Sequence, residues 1–228
     1  MGLITAGISQ EISLALAELG GARAFVETGT YHGETTRWAA THFKRVHTIE
    51  RAEALHAEAA RSLADCHNVR THLGDSRLVL PGILHQLGSA PALFWLDGHW
   101  SGGLTAGEGD ECPLLDELRL LQGRTGDIIL IDDARFFLAA PPGRHDPRQW
   151  PTMVEIVHAL PGHGTGVYLQ VIDDVIFIVP REPALMQRLT EYARGRPRAF
   201  QEPTQPVAAS QADVRGVGRG WRRVLGLR

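Results

Sequence analysis

The chain predicts an α/β fold, a mostly parallel sheet wrapped by helices and finished by an antiparallel edge. Three observations carry this. Short apolar runs alternate with amphipathic segments along the first 160 residues. Gly and Pro punctuate the joins between them. The last two apolar runs flank Asp173-Asp174, which reads as a tight hairpin.

Each element follows from its own pattern. Ile8 to Leu19 carries apolar residues at 8, 12, 14, 15, 16 and 19 and reads as a helix. Ala24-Phe25-Val26 is the first strand, ending in Glu27-Thr28-Gly29. A helix is expected from Glu34 to Phe43, a strand over Val46 to Glu50, and an alanine-rich helix from Glu53 to Leu63. Val69 to Leu73 is the third strand, and Ser76 to Leu87 a helix interrupted early by Pro81-Gly82. Ala92 to Asp97 and Ile128 to Ile131 are runs of the kind buried on both faces, separated by an apolar helix from Leu114 to Leu121. Pro151 to Leu160 reads as a helix with proline in its first turn. Tyr168 to Ile172 and Val175 to Val179 close the fold. Residues 1–199 are read as one domain. Residues 200–228 shift to Gln, Pro, Ala, Ser, Gly and Arg and are read as a flexible basic tail.

Composition narrows the function. A chain of 228 residues can bury a sizeable core without staples. Cys66 and Cys112 are too few for a disulfide scaffold or a structural zinc site. No apolar run is long enough to span a bilayer, and the first residues lack the signal-peptide pattern, so a cytoplasmic protein is expected. The net charge is −3, yet residues 214–228 hold five arginines and no acid. Removing those five positive charges leaves −8 on residues 1–213. A body of that sign is a poor nucleic-acid binder. The tail, ending in Trp221-Arg222-Arg223-Val224-Leu225, could contact an anionic surface. The sequence is compatible with a homo-oligomer and does not demand one.

In an open parallel sheet, ligands bind beyond the carboxyl ends of the strands. Those ends are unusually acidic here: Glu27, Glu50, Asp75, Asp97, then Asp132 and Asp133. The first loop, Glu27-Thr28-Gly29-Thr30-Tyr31-His32-Gly33, has two glycines that let backbone approach a ligand. It is not the dinucleotide fingerprint, because Glu27 stands where that motif begins with glycine. A carboxylate there would repel a pyrophosphate and suit an amino group or a sulfonium. Glu50, ending the second strand, can accept hydrogen bonds from both ribose hydroxyls, or serve only as a helix N-terminal charge. Asp75 in Gly74-Asp75-Ser76 could hold an adenine amino group, or cap the following helix.

This ordered series resembles the class I S-adenosylmethionine-dependent methyltransferases over roughly residues 20–180. The resemblance implies a Rossmann-like, doubly wound, seven-stranded sheet in the order 3-2-1-4-5-7-6. It implies that Glu27, Gly29 and Gly33 line the methionine end, that Glu50 holds the ribose and that Asp75 holds the adenine. Tyr31 and Ser76 complete the candidate cofactor set.

The second half narrows the resemblance. If the fourth and fifth strands are neighbours, Asp97, Asp132 and Asp133 come together, because paired strands lie about 4.8 Å apart. Three carboxylates cannot share a pocket without raising one another's pKa or holding a cation. An all-oxygen set favours Mg²⁺ or another divalent cation such as Mn²⁺ or Ca²⁺ over zinc. The pattern resembles the metal-dependent O-methyltransferases of the catechol and macrocin type. It departs from the macrocin type at Asp97-Gly98-His99, where those relatives carry Asp-Gly-Asp with the second Asp as base. An imidazole can take that role near neutral pH. His99 and Asp97 are therefore the candidate catalytic residues. Whether His99 is a base, a fourth metal ligand or a turn histidine stays open at this point.

The glycine-rich stretch from Trp100 to Pro113 is long enough to be a lid. The segment 138–150, with Pro141, Pro142, His145 and Trp150, could form a second wall of an acceptor pocket. Arg135 is expected to pair with one of the aspartates, and Cys112 to be structural. The expected partner is a hydroxylated small molecule, a sugar or another polyhydroxy compound. Two other readings remain. One is an NAD-dependent oxidoreductase, against which Glu27 argues. The other is a non-catalytic protein that kept the fold, against which the full series of strand-end acids argues.

Overall fold

The computed structural model describes residues 7–141 and 143–196. In chain order it contains α1 (Gln10–Leu19), β1 (Ala24–Thr28), α2 (Glu34–His42), β2 (Arg45–Glu50), α3 (Glu53–Ser62), β3 (Val69–Leu73) and α4 (Ser76–Leu87). Then come β4 (Ala92–Leu96), α5 (Leu114–Leu120), β5 (Ile128–Ile131), α6 (Arg135–Leu138), α7 (Met153–Ala159), β6 (Val167–Ile172), β7 (Val175–Pro180) and α8 (Pro183–Gly195). Short 3₁₀ turns occupy Pro147–Gln149 and Pro161–Gly164.

The strands form one sheet in the order β3-β2-β1-β4-β5-β7-β6, the order the resemblance implied. The first five are parallel, and β7 pairs antiparallel with both β5 and β6. The central strands read as continuous apolar runs because both faces are covered. Phe25, Leu93, Trp95, Leu130 and Phe177 pack on one face with Ile12 and Leu16 of α1 and Leu185 and Leu189 of α8. Val26, Phe94, Leu96, Ile129 and Ile131 pack on the other with Leu80 and Ile83 of α4, Leu118 of α5 and Ile156 of α7.

Four local expectations need correction. Helix α4 runs through Pro81 rather than breaking there. The proline forfeits the bond to the Arg77 carbonyl and crowds it, while Leu80, Ile83 and Leu87 are buried around it and hold the turn. Helix α7 begins at Met153, after Pro151, because Thr152 and Glu155 form a reciprocal capping box. The short helix α6 and the longer α8 were not anticipated at all. Proline stands at the first position of α8, and Leu185 and Leu189 make its buried stripe. The expected tail over 200–228 lies outside the described residues. No helix among the described residues is long and apolar enough to cross a membrane.

Candidate active site

The site lies at the carboxyl ends of β1, β2, β3 and β4. A cavity of about 540 Å³ opens there, a size suited to a small molecule or cofactor. Gly29, Tyr31, Glu50, Asp75, Ser76, Asp97 and His99 of the sequence-predicted set line it. Glu27, Gly33, Asp132 and Asp133 do not.

The turn after β1 is built around a close approach. Gly29 has φ +85, and a Cβ there would lie 2.1 Å from the Asp97 carbonyl oxygen. The residue is glycine because the end of β4 crosses it, as well as because the loop borders the cavity. Gly33, with φ +82, caps α2 and packs against Leu63. Glu27 sits beneath the loop, 1% exposed, and accepts hydrogen bonds from the hydroxyls of Thr36 and Thr48. Burial pushes its carboxyl up to about 7 against those two hydroxyls.

That buried acid makes a testable stability statement. A carboxyl raised in the folded state costs nothing while the proton stays on, and costs stability as pH rises from 4.5 to about 7. Glu27→Gln is therefore expected to raise stability at pH 8 by on the order of 3 kcal/mol and to change little at pH 5. Thermal melts at the two pH values check this, and an equal effect at both would show that ionisation of Glu27 is free of cost.

Glu50 is 6% exposed, and its two oxygens accept the N–H groups of Tyr31 (3.0 Å) and Ala52 (2.8 Å). Each oxygen keeps a further lone pair, and the residue faces the cavity. Asp75 caps α4 through the Arg77 N–H at 3.0 Å, and its carboxylate also receives the Arg77 guanidinium, with Nε at 2.9 Å. The capping reading of Asp75 therefore holds, and the cavity-lining position holds with it. Arg77 and Arg51 both reach on to Asp110, at 3.1 and 3.2 Å, which ties the 98–113 connection to the rim of the cavity.

Just past β4, the His99 side chain is 7% exposed. Its Nε2 lies 2.8 Å from Asp133 Oδ2, and its Nδ1 lies 3.5 Å from Asp97 Oδ1. Asp133 takes a left-handed backbone, φ 55, and Asp132 accepts its N–H at 2.8 Å. Burial lowers the affinity of His99 for a proton, but the Asp133 hydrogen bond and the charges of Asp97, Asp133 and Asp132 outweigh it, so the imidazole titrates above its ordinary 6.5. Burial holds the Asp97 carboxyl well above its usual range, and burial together with Asp133 pushes Asp132 up to about 6. Burial also works to raise Asp133, yet His99 and Arg135 hold it below the ordinary carboxylate value.

Asp97 and Asp133 thus flank the His99 ring, and Asp132 joins them through the Asp133 N–H. Arg135 Nη1 lies 2.7 Å from Asp133 Oδ1 and also pairs with Asp174. Among the described residues no group of three or more His, Cys, Asp or Glu side chains is arranged to hold a metal ion. In this arrangement the Asp133 carboxylate faces His99 and Arg135.

Two acids that the sequence reading passed over organise the surroundings. Glu111, 2% exposed, accepts the Trp150 indole N–H at 2.6 Å and the Asp146 N–H at 2.9 Å, and lies 2.8 Å from His145 Nδ1. Its carbonyl accepts the Trp100 N–H at 2.7 Å. It pins the 139–150 segment to the 98–113 connection and sets the Trp150 ring 5.3 Å from the His99 ring. The expected second wall is not formed by this segment, since none of its described residues lines the cavity; Trp150 packs behind His99 instead. Glu117 of α5 is 1% exposed, and burial pushes it up to about 7. Its signal was an acid on the apolar stripe of Leu114, Leu118 and Leu121. Burial pushes the Cys112 thiol up to about 12, which fits a structural role.

The fold is that of the class I S-adenosylmethionine-dependent methyltransferases. A Staphylococcus aureus protein provisionally named a caffeoyl-CoA O-methyltransferase shares it with a TM-score of 0.50 at 14% identity, over 78% of this chain and 86% of that one. At that identity the likeness extends to the fold alone. Two further structures match more loosely. The O-methyltransferase TomG of Streptomyces achromogenes, involved in tomaymycin synthesis and solved with SAM, gives 0.46 at 20% identity over 78% and 82% of the chains. An O-methyltransferase of Bacillus cereus in complex with SAH gives 0.48 at 18% identity over 78% and 84%. No family model and no curated protein matches the sequence.

Proposed function

We propose that the protein is a cytoplasmic S-adenosylmethionine-dependent O-methyltransferase acting on a hydroxyl of a sugar or another polyhydroxy small molecule. One observation carries this reading. A single cavity on this fold joins Glu50, with lone pairs to spare for ribose hydroxyls, to a buried His99 held by carboxylates. Glu50 borders the space as a carboxylate with accepting capacity to spare, which suits a ligand that is cationic at its sulfonium and amino groups, while Asp75 is already paired with Arg77.

When bound, the cofactor supplies an electrophilic methyl group. The protein's residues do the rest. Glu50 orients the ribose, and Tyr31, Gly29, Asp75 and Ser76 border the cofactor. Glu27 and Gly33 shape its loop from outside the cavity. Neutral His99 accepts the acceptor hydroxyl proton on a ring nitrogen, and Asp133 and Asp97 stabilise the imidazolium that forms. The connection over the cavity, with Ser101 to Ala106 lining it, limits access of water. Of the 98–113 connection, Ser101, Gly102, Gly103 and Thr105 line the cavity beside Leu104 and Ala106, and the absence of an aromatic ring among them supports a polyhydroxy acceptor over a flat aromatic one.

A second reading puts a divalent cation on Asp97, Asp132 and Asp133, and the crowding of three carboxylates favours it. The described side chains do not assemble that ligand set, so no step is assigned to it.

Calorimetric titration with S-adenosylhomocysteine is expected to show one site of micromolar affinity, weakened at least tenfold by Glu50→Ala. Absence of binding at millimolar ligand would reject the cofactor and return the nicotinamide and non-catalytic readings. Methyl transfer to polyols and glycosides, run with chelator and with added Mg²⁺, then separates the two readings. Loss of transfer on chelation, restored by Mg²⁺, would assign the aspartates to a cation.

A further inference from the structure

The β6–β7 hairpin turn lies 39 residues beyond Arg135 in sequence and makes three contacts with Ala134 and Arg135. The Asp174 carbonyl accepts the Ala134 N–H at 2.8 Å. Its Oδ1 accepts the Arg135 N–H at 2.8 Å, and its Oδ2 pairs with Arg135 Nη1. Asp174 is 8% exposed and sits in a turn whose two central residues are both left-handed, Asp173 at φ 48 and Asp174 at φ 70. Asp173 turns the other way, onto Arg196.

The same Arg135 nitrogen lies 2.7 Å from Asp133 Oδ1, and the second oxygen of Asp133 lies 2.8 Å from His99 Nε2. The Arg135 guanidinium covers the Phe136 ring at 4.4 Å, and that ring meets the His99 ring edge-on at 6.4 Å. A chain of alternating charge therefore runs Asp174–Arg135–Asp133–His99. Its first member stands outside the cavity, and its last lines it.

We propose that Asp174 and Arg135 are positioning residues that hold Asp133 on His99 Nε2 and so fix which ring nitrogen carries the proton. The alternative for Arg135 is plain neutralisation of an acidic cluster. That would need only nearness, whereas Asp174 grips both the Arg135 backbone and its side chain. Asp133, with its left-handed backbone, stands directly before the two residues that the hairpin turn clamps. Without that clamp, the Asp133 carboxylate is free to leave the ring. The proton on Nε2 then loses its acceptor, and Nδ1 is no longer reserved for Asp97 or an incoming hydroxyl.

This inference rests on the proposed role of His99, so its test has two arms. In the first, imidazole ¹⁵N spectra of the full chain are expected to show the His99 Nε2–H as a hydrogen-bonded, slowly exchanging signal. Asp174→Asn, which keeps an acceptor for the Arg135 N–H, and Arg135→Gln should each lose that signal. Affinity for S-adenosylhomocysteine should stay within about twofold. In the second arm, each variant is expected to lower kcat about tenfold with KM within twofold. In a His99→Ala background, Asp174→Asn should cost no further activity, because residues acting through one group are not additive. A His99 signal unchanged in both variants overturns the inference, as does a further loss in the His99→Ala background. If the wild-type chain binds no S-adenosylhomocysteine, the methyltransferase reading fails, and the spectra alone still decide the positioning role. Two substitutions at different points of the chain guard against one that does not fold.

Discussion

Replacing His99 with alanine is expected to lower the methyl-transfer rate at neutral pH by at least about a hundredfold, the range in which a positioned general base contributes. Cofactor affinity should change little, because in the proposed reading Glu50 and the β1 loop carry it. The wild-type rate should also fall as pH drops through the raised pKa of His99, since only neutral imidazole can accept a proton. The aspartate charges that raise that pKa place the acid limb above 6.5 rather than below it. Steady-state rates from pH 5.5 to 9 would show it. In His99→Ala the limb should vanish, and added imidazole should restore part of the rate. A variant with the wild-type profile would remove His99 from proton transfer.

Gly29→Ala is expected to be the most disruptive small substitution in the chain. The added carbon would stand 2.1 Å from the Asp97 carbonyl oxygen and 2.8 Å from its carbon, both backbone atoms that cannot swing aside. A left-handed φ adds about 1–2 kcal/mol for any residue with a Cβ. Relief requires the ends of β1 and β4 to separate, and those two strands carry the site between them. A loss of more than about 4 kcal/mol follows, in the range reserved for core disruption and strained backbone. If the variant still folds, its affinity for S-adenosylhomocysteine should drop at least a hundredfold. Wild-type melting and wild-type affinity together would show that this turn relaxes freely.

The strands themselves were legible because their signals are local, while their order in the sheet came from the family resemblance. Apolar runs such as Ile128–Ile131 and Ala92–Leu96 announce strands covered on both faces, and Asp173-Asp174 announces a hairpin. The acids at the strand ends were legible for the same reason. Which way each acid faces was not. β1 extends one residue past Glu27, to Thr28, and pairs Glu27 with Thr48, so the carboxylate turns under the loop. Asp133 lies outside the cavity lining because its left-handed backbone sends its carboxylate to His99 and Arg135. Helix α8 left a readable trace in Pro183, Leu185 and Leu189. Glu111 and Asp174 left none, since what each does depends on partners 34 to 39 residues away that only the folded chain brings near.

The placement of Glu111 bears on how such a site can change its acceptor. One carboxylate fastens both segments that border His99, through Trp100 on one side and His145, Asp146 and Trp150 on the other. Glu50, Asp75 and the β1 loop are held by the strand ends instead. The two bordering segments can therefore change apart from those residues, but cannot drift separately from each other. A change in the length of either one must be matched in the other, or it strands a buried charge. Acceptor range in proteins built this way should shift in paired steps.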